Sequence, residues 1–186
     1  MQPYLALLRG VNVGASNRIK MEDLRRVLLA AGFTRVETYI QSGNILFDSE
    51  EPEEALVTRM ESLLEASFGY RGAVVIRSAD ELDSLIRNLP FTSEEISAAE
   101  AANPGAESLY VCLFPQSPPA ELLVRWEQPD SSGDRFQLSG RDAYLLLKQS
   151  IRLSKLATAL QKPDYRGTVR NWNTLTALQQ MAERRG

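Results

Sequence analysis

The apolar residues between Tyr4 and Ile76 change spacing in a fixed order, and that order restricts the folds open to this chain more than any other feature. Tyr4 to Leu8 is an unbroken apolar run of strand length. Met21, Leu24, Leu28 and Ala31 then recur at helical spacing, and Gly32 is placed to end that helix. Val36, Thr38 and Ile40 alternate with Arg35, Glu37 and Tyr39, and Asn44 to Phe47 continues beyond a Gln41-Ser42-Gly43 turn, the pattern of a β-hairpin. A second helix is expected from about Pro52 to Phe68, with Leu56, Met60, Leu63 and Leu64 on one face, and Ala73 to Ile76 reads as a short strand. This βαββαβ order predicts a ferredoxin-like unit, a four-stranded sheet in the order 4-1-3-2 with two helices on one face.

Beyond this unit the pattern loosens. Ser78 and Glu81 form a capping-box signature for a helix carrying Leu82, Leu85, Ile86 and Leu89, which Pro90 ends. Thr92 to Ala106 reads as a short helix and linker. Strands are expected at Leu109 to Phe114, Arg135 to Leu138 and Tyr144 to Lys148, with a helix at Pro118 to Trp126 and two more helices at the end. Trp172, Leu175, Leu178 and Met181 form the apolar stripe of the last helix, with Glu183, Arg184 and Arg185 beyond it. The second half is thus βαββα without a final strand, and its duplication of the first is a topological hypothesis only. The reading is an α+β protein divided as 1–77, a ferredoxin-like subdomain, 78–106, a helical connection, and 107–186, a smaller α+β subdomain.

Composition then limits the chemistry. The 186 residues include no histidine and one cysteine. Ser-His-Asp and Cys-His nucleophile activation and imidazole metal ligation are therefore absent, and catalysis would have to use carboxylates, Lys, Tyr or Thr. A lone Cys112 in an apolar strand forms no intrachain disulfide and reads as core, consistent with a reducing cytoplasm. No apolar run reaches the roughly 20 residues of a membrane helix, and Met1-Gln2-Pro3 lacks the basic start of a signal peptide, so a cytoplasmic protein is expected. Net charge is −3, distributed as +3 over residues 1–47, −12 over 48–147 and +6 over 148–186. Basic ends flanking an acidic middle suggest an anion-binding face.

Three segments supply candidate ligands for such an anion. The connection from Leu8 to Lys20 is longer than the about two to six residues that usually suffice, carries Gly10 and Gly14, and places Arg9, Asn12, Arg18 and Lys20 near a helix N-terminus. Strands one and two point to the same end of a ferredoxin-like sheet, so the Gln41-Ser42-Gly43-Asn44 turn is expected to emerge beside that loop, offering Gln41, Ser42 and Asn44. Near the C-terminus Arg170 or Arg166 is suited to bidentate anion contact, and Asn171 or Thr168 to capping the last helix. No catalytic residue, cofactor or protein-ligated metal is assigned, although a magnesium ion held by carboxylates and a ligand phosphate remains compatible with the composition.

The motifs Leu8-Arg9-Gly10-Val11-Asn12-Val13-Gly14, Tyr39-Ile40-Gln41-Ser42-Gly43-Asn44 and Thr168-Val169-Arg170-Asn171-Trp172-Asn173-Thr174, in that order along the chain, resemble the bacterial family catalogued as domain of unknown function 1697. The resemblance implies a compact α+β protein with a ferredoxin-like part and implies no activity. Members commonly carry a second glycine after the position of Gly14, where this chain has Ala15. The Asn12, Gln41, Asn44, Arg170 and Asn171 positions match.

Three functions follow in order of support. The first is binding, or turnover, of a small anionic ligand such as a nucleotide or phosphorylated metabolite. The second is an RNA-binding module, suggested by topology and weakened because Asn44 to Phe47 lacks the paired aromatics on which bases stack. The third is a protein-interaction or oligomerisation domain that uses a sheet edge. No membrane partner is expected, and the sequence does not fix the oligomeric state.

Overall fold

The structure is a computed structural model that describes residues 1–14, 18–121 and 132–185. It is mixed α+β with two antiparallel four-stranded sheets, and the chain divides into two units, Met1–Ser84 with Thr176–Gly186, and Leu85–Leu175.

The first unit contains β1 (Gln2–Leu8), α1 (Met21–Ala30), β2 (Thr34–Tyr39), β3 (Asn44–Ser49), α2 (Glu53–Phe68) and β4 (Val74–Ser78), and α3 (Ala79–Arg87) starts within it. Its strands lie in the order β2-β3-β1-β4, the expected ferredoxin-like arrangement. Ala6 at the centre of β1 is opposite Ile45 on one side and Ile76 on the other. These residues share a face with Tyr4, Leu8, Phe47 and Val74, and that face packs on Leu24 and Leu28 of α1 and Leu56, Met60 and Leu64 of α2. Burial of both helix stripes against one sheet face is the main favourable term of this unit, at about 25 cal/mol per Å² of apolar surface. Gly69, in the left-handed region, caps α2, and the Ser78–Glu81 capping box is formed in both directions.

The opposite sheet face is buried as well. Leu5, Leu7, Leu46 and Val75 are inaccessible there, which explains why β1 reads as a continuous apolar run rather than an alternating one. Asp48 and Arg77 are buried among them. Asp48 receives Arg185 Nη1 at 3.1 Å and Arg35 Nη1 at 3.1 Å. Arg185 also bonds Glu37 Oε1 at 2.5 Å, and its own carbonyl accepts from Arg35 Nη1. Residues 176–186, assigned from sequence to the second subdomain, group with the first unit, and these bonds are one reason.

The second unit contains α4 (Ser93–Ala102), β5 (Leu109–Leu113), β6 (Arg135–Ser139), β7 (Asp142–Leu146), α5 (Lys155–Leu160), a 3-10 turn (Pro163–Tyr165) and β8 (Thr168–Asn171), and α6 (Trp172–Glu183) starts within it. Its sheet order is β6-β7-β5-β8. Numbered from its own first strand, this is the strand order of the first unit. Cys112, Phe114, Ala143, Leu145, Leu147, Leu156, Ala157 and Leu160 form its core, with Cys112 buried as expected. The second half was read as lacking a final strand; β8 supplies it, pairing antiparallel with β5. The strand escaped detection because the alternation that marks it is carried by Thr168 and Arg170, two buried polar residues, instead of by apolar ones. The helix expected over 118–126 falls largely outside the described residues.

Candidate functional site

The loop after β1 is fastened at its base before it diverges from the sheet. Arg9 is half-buried; its N–H donates to Ala73 O at 3.0 Å, and its carbonyl accepts from the Tyr70 hydroxyl at 2.8 Å. Tyr70 is buried and its hydroxyl oxygen also lies 3.1 Å from Ala73 O, so one phenol sits between the ends of β1 and β4. Sequence reading passed over Tyr70, which stands alone between a helix and a strand with no periodic signal to mark it.

Asn12 closes the loop. Its backbone is left-handed, with φ at +56°, a conformation Asn adopts more readily than most residues. The side-chain carbonyl accepts from Ile19 N at 2.9 Å, and the amide donates to Ile19 O at 2.9 Å and to Gln41 O at 2.7 Å. One side chain therefore pairs with both main-chain groups of Ile19 and bridges to the hairpin turn. The loop and the turn meet, as the topology requires, and Asn12 is the residue that joins them.

The turn is held from within. Asn44 is fully buried and donates from Nδ2 to Tyr39 O at 3.0 Å and Ser42 Oγ at 2.9 Å. The Gly43 carbonyl accepts from Leu8 N at 2.9 Å, and a Cβ on Gly43 would lie 2.7 Å from Leu8 Cβ, so only glycine fits. Ile40 is exposed with φ at +50°, a strained conformation for a β-branched residue. Gln41 contributes its carbonyl to Asn12 and leaves its side chain exposed, whereas Ser42 is half-buried.

The charges lie beyond this polar frame. Arg18 and Lys20 are exposed on either side of buried Ile19, and among the described residues neither side chain makes a hydrogen bond or ion pair. Lys20 occupies the N-cap position of α1 without a side-chain cap, and Leu24 N donates to its carbonyl. Glu22 and Asp23 begin the helix, with Asp23 neutralised by Arg26 at 2.6 Å.

Arg170 and Asn171 belong to the second unit. Arg170 is buried, and its Nη1 donates to Thr168 Oγ1 at 2.7 Å and Val169 O at 2.9 Å, so part of its guanidinium fastens its own strand. Asn171 Oδ1 accepts from Thr174 N at 2.8 Å, the N-cap role its sequence position suggested for α6. Trp172 is half-buried rather than core. The Tyr144 hydroxyl donates to Leu85 O at 2.7 Å, and burial, with a smaller contribution from Asp142, pushes its pKa up to about 12. Among the described residues no cluster of acidic residues and Cys112 forms a metal site, and no helix is long and apolar enough to cross a membrane.

A family model described as a protein of unknown function, DUF1697, matches residues 1–144, which include the first two motifs and end before the third. No curated protein matches the chain. Among solved structures, the conserved bacterial protein SP0830 from Streptococcus pneumoniae is similar over 97% of this chain and 98% of that one, with 24% identity and a TM-score of 0.76. That likeness extends the shared fold across both units.

Proposed function

We propose that this chain, which belongs to the DUF1697 family, binds a small anionic ligand such as a nucleotide or phosphorylated metabolite in the cytoplasm. The site is the end of the first unit where the 9–20 loop meets the 41–44 turn. The observation that carries this reading is the Asn12 clamp. By bonding Ile19 and Gln41 together it holds a long loop against the turn, with the cations of Arg18 and Lys20 beside it and no carboxylate partner for either among the described residues. Fixed backbone polarity and adjoining cations are the components of an anion site. Arg9 contributes from the loop base. Arg170 and Asn171 are retained as candidates within the second unit, where each already has a structural bond.

The RNA alternative gains no support from the first sheet. The face opposite its helices, on which bases would stack, presents Leu5, Leu7 and Leu46, all buried. Thermal unfolding of the full chain against nucleotides and sugar phosphates tests the anion reading. Ligand at about one hundred times its Kd stabilises by ~2.7 kcal/mol, and Arg18→Ala with Lys20→Ala weakens that response. No stabilisation by any of these compounds, or a response indifferent to both substitutions, overturns it.

A further inference from the structure

Strand β2 carries one residue more than its partner can match, and the surplus decides where two charged side chains go. From Thr34 to Glu37 is three steps along β2, whereas their partners Asp48 and Leu46 are two steps apart on β3. Arg35, inside this bulge, is left-handed with φ at +50° although it is not glycine. In an unbroken ladder Glu37 would stand opposite Ile45, on the face that packs against the helices. The bulge places it opposite Leu46 instead, on the face that holds Asp48, because side chains alternate along a strand.

The groups assembled in this way grip one arginine by its side chain and by its main chain. The Arg185 side chain is 2% exposed; its Nη1 donates to Asp48 Oδ1 at 3.1 Å, and its Nη2 to Glu37 Oε1 at 2.5 Å and to the Leu46 carbonyl at 3.5 Å. Arg35 Nη1 donates to the Arg185 carbonyl at 3.1 Å and to Asp48 Oδ2 at 3.1 Å. Three acceptors spread over both Nη atoms suit a planar guanidinium and not the point charge of a lysine. The side chains of Arg35 and Glu37 are 55% and 54% exposed, so the site opens to solvent at these two residues while Asp48 lies buried between strands and occupant. The occupant fits imperfectly. Among the described residues Arg185 Nε is buried without an acceptor, and a buried donor left unmet weakens the complex that contains it.

We propose that the β2 bulge is a binding site for an arginine-bearing peptide, filled in cis by Arg185 and open to a partner's arginine when the residues after α6 leave it. The site lies wholly in the first unit and is independent of the anion-binding reading. Arg185 acts in it as a tethered ligand, whose high effective concentration holds other arginines off. A peptide that supplies an acceptor for Nε competes with it. Both carboxylates, the Leu46 carbonyl and the Arg35 donor belong to β2 and β3, so the receptor does not depend on the segment that fills it.

The test is a calorimetric titration of the full chain carrying Arg185→Ala with the peptide of residues 182–186, and with the same peptide bearing lysine or neutral citrulline in place of Arg185. The arginine peptide binds saturably and raises the midpoint of thermal unfolding. The lysine peptide binds about tenfold more weakly, the equivalent of ~1.4 kcal/mol, and the citrulline peptide does not bind. The unsubstituted chain, whose site is filled, also takes the arginine peptide at least about tenfold more weakly than the Arg185→Ala chain does. Arg185→Lys, which leaves a cation beside Asp48, is the host for the same titrations where Arg185→Ala does not fold. In either host Glu37→Gln, at a half-exposed carboxylate, weakens the arginine peptide about tenfold. Equal binding of the arginine and citrulline peptides, equal binding by the filled and vacated chains, or no saturable binding to either host overturns the proposal.

Discussion

Replacing Gly43 with alanine adds one methyl group to the turn that meets the Asn12 loop, and the cost of that methyl can be worked from two terms. Gly43 has φ at +73°, where a side chain costs about 1–2 kcal/mol relative to glycine. The new Cβ would also lie 2.7 Å from Leu8 Cβ and 3.2 Å from Leu8 Cγ. Carbon pairs rest at about 3.5–4.0 Å, and forcing an extra methyl into filled space costs about 1–3 kcal/mol. The sum is ~2–5 kcal/mol, a large share of the roughly 5–15 kcal/mol that holds a domain folded. Gly69 is the internal control: its φ is +65° and a Cβ there meets nothing within 4 Å, so Gly69→Ala carries only the first term. Urea denaturation of the two variants should therefore differ by about 1–3 kcal/mol. Adding Leu8→Ala should recover little, because the nearest atom is the Leu8 Cβ that alanine keeps. Equal losses for Gly43→Ala and Gly69→Ala, or full rescue by Leu8→Ala, would refute the close-contact argument.

Four further outcomes are expected. Asn12→Ala, which removes three hydrogen bonds and leaves alanine at positive φ, should lower stability by ~2 kcal/mol in denaturant titration; Asn12→Asp, which retains only acceptance from Ile19 N, should do nearly as much harm. Ile40→Asn should raise the unfolding free energy by ~1 kcal/mol, because asparagine tolerates the left-handed backbone that strains isoleucine. Arg185→Ala should cost about 3 kcal/mol, the lower end of the range for stranding a buried charge, since Asp48 keeps its bond to Arg35. For Tyr144 the folded pKa of about 12 exceeds the ordinary 10.0, so its contribution to stability is complete below pH 10 and is lost as pH rises from there towards 12. Tyr144→Phe should flatten that alkaline limb of the unfolding free energy against pH.

The parts of this fold that sequence reading recovered are those written in local apolar spacing. The first sheet, its order and its two helices follow from residues whose burial matches their type, such as Leu24 and Leu28 on α1 and Leu56 and Met60 on α2. Strand β8 did not follow, because Thr168 and Arg170 stand where apolar residues would have signalled it. The Asp48–Arg185 pair was equally hidden, since two charges separated by 137 positions leave no periodicity to detect. For the candidate site, topology correctly brought the loop to the turn. The roles within it were less legible: Asn12 and Asn44, expected to face a ligand, spend side-chain bonds on the protein's own backbone. Arg18 and Lys20, which the sequence did single out, keep side chains without a partner among the described residues.

The reach of Arg185 back to the first sheet also sets an order of events during synthesis. Asp48 and Glu37 are made early, yet the guanidinium that both of them bind is made only after the whole of the second unit has been translated. A ribosome-bound chain that has completed β1 to β4 holds every strand of its first sheet but lacks one of the two cations that neutralise Asp48. The first unit thus reaches its final stability after the second has had time to fold, although it is the earlier to leave the ribosome.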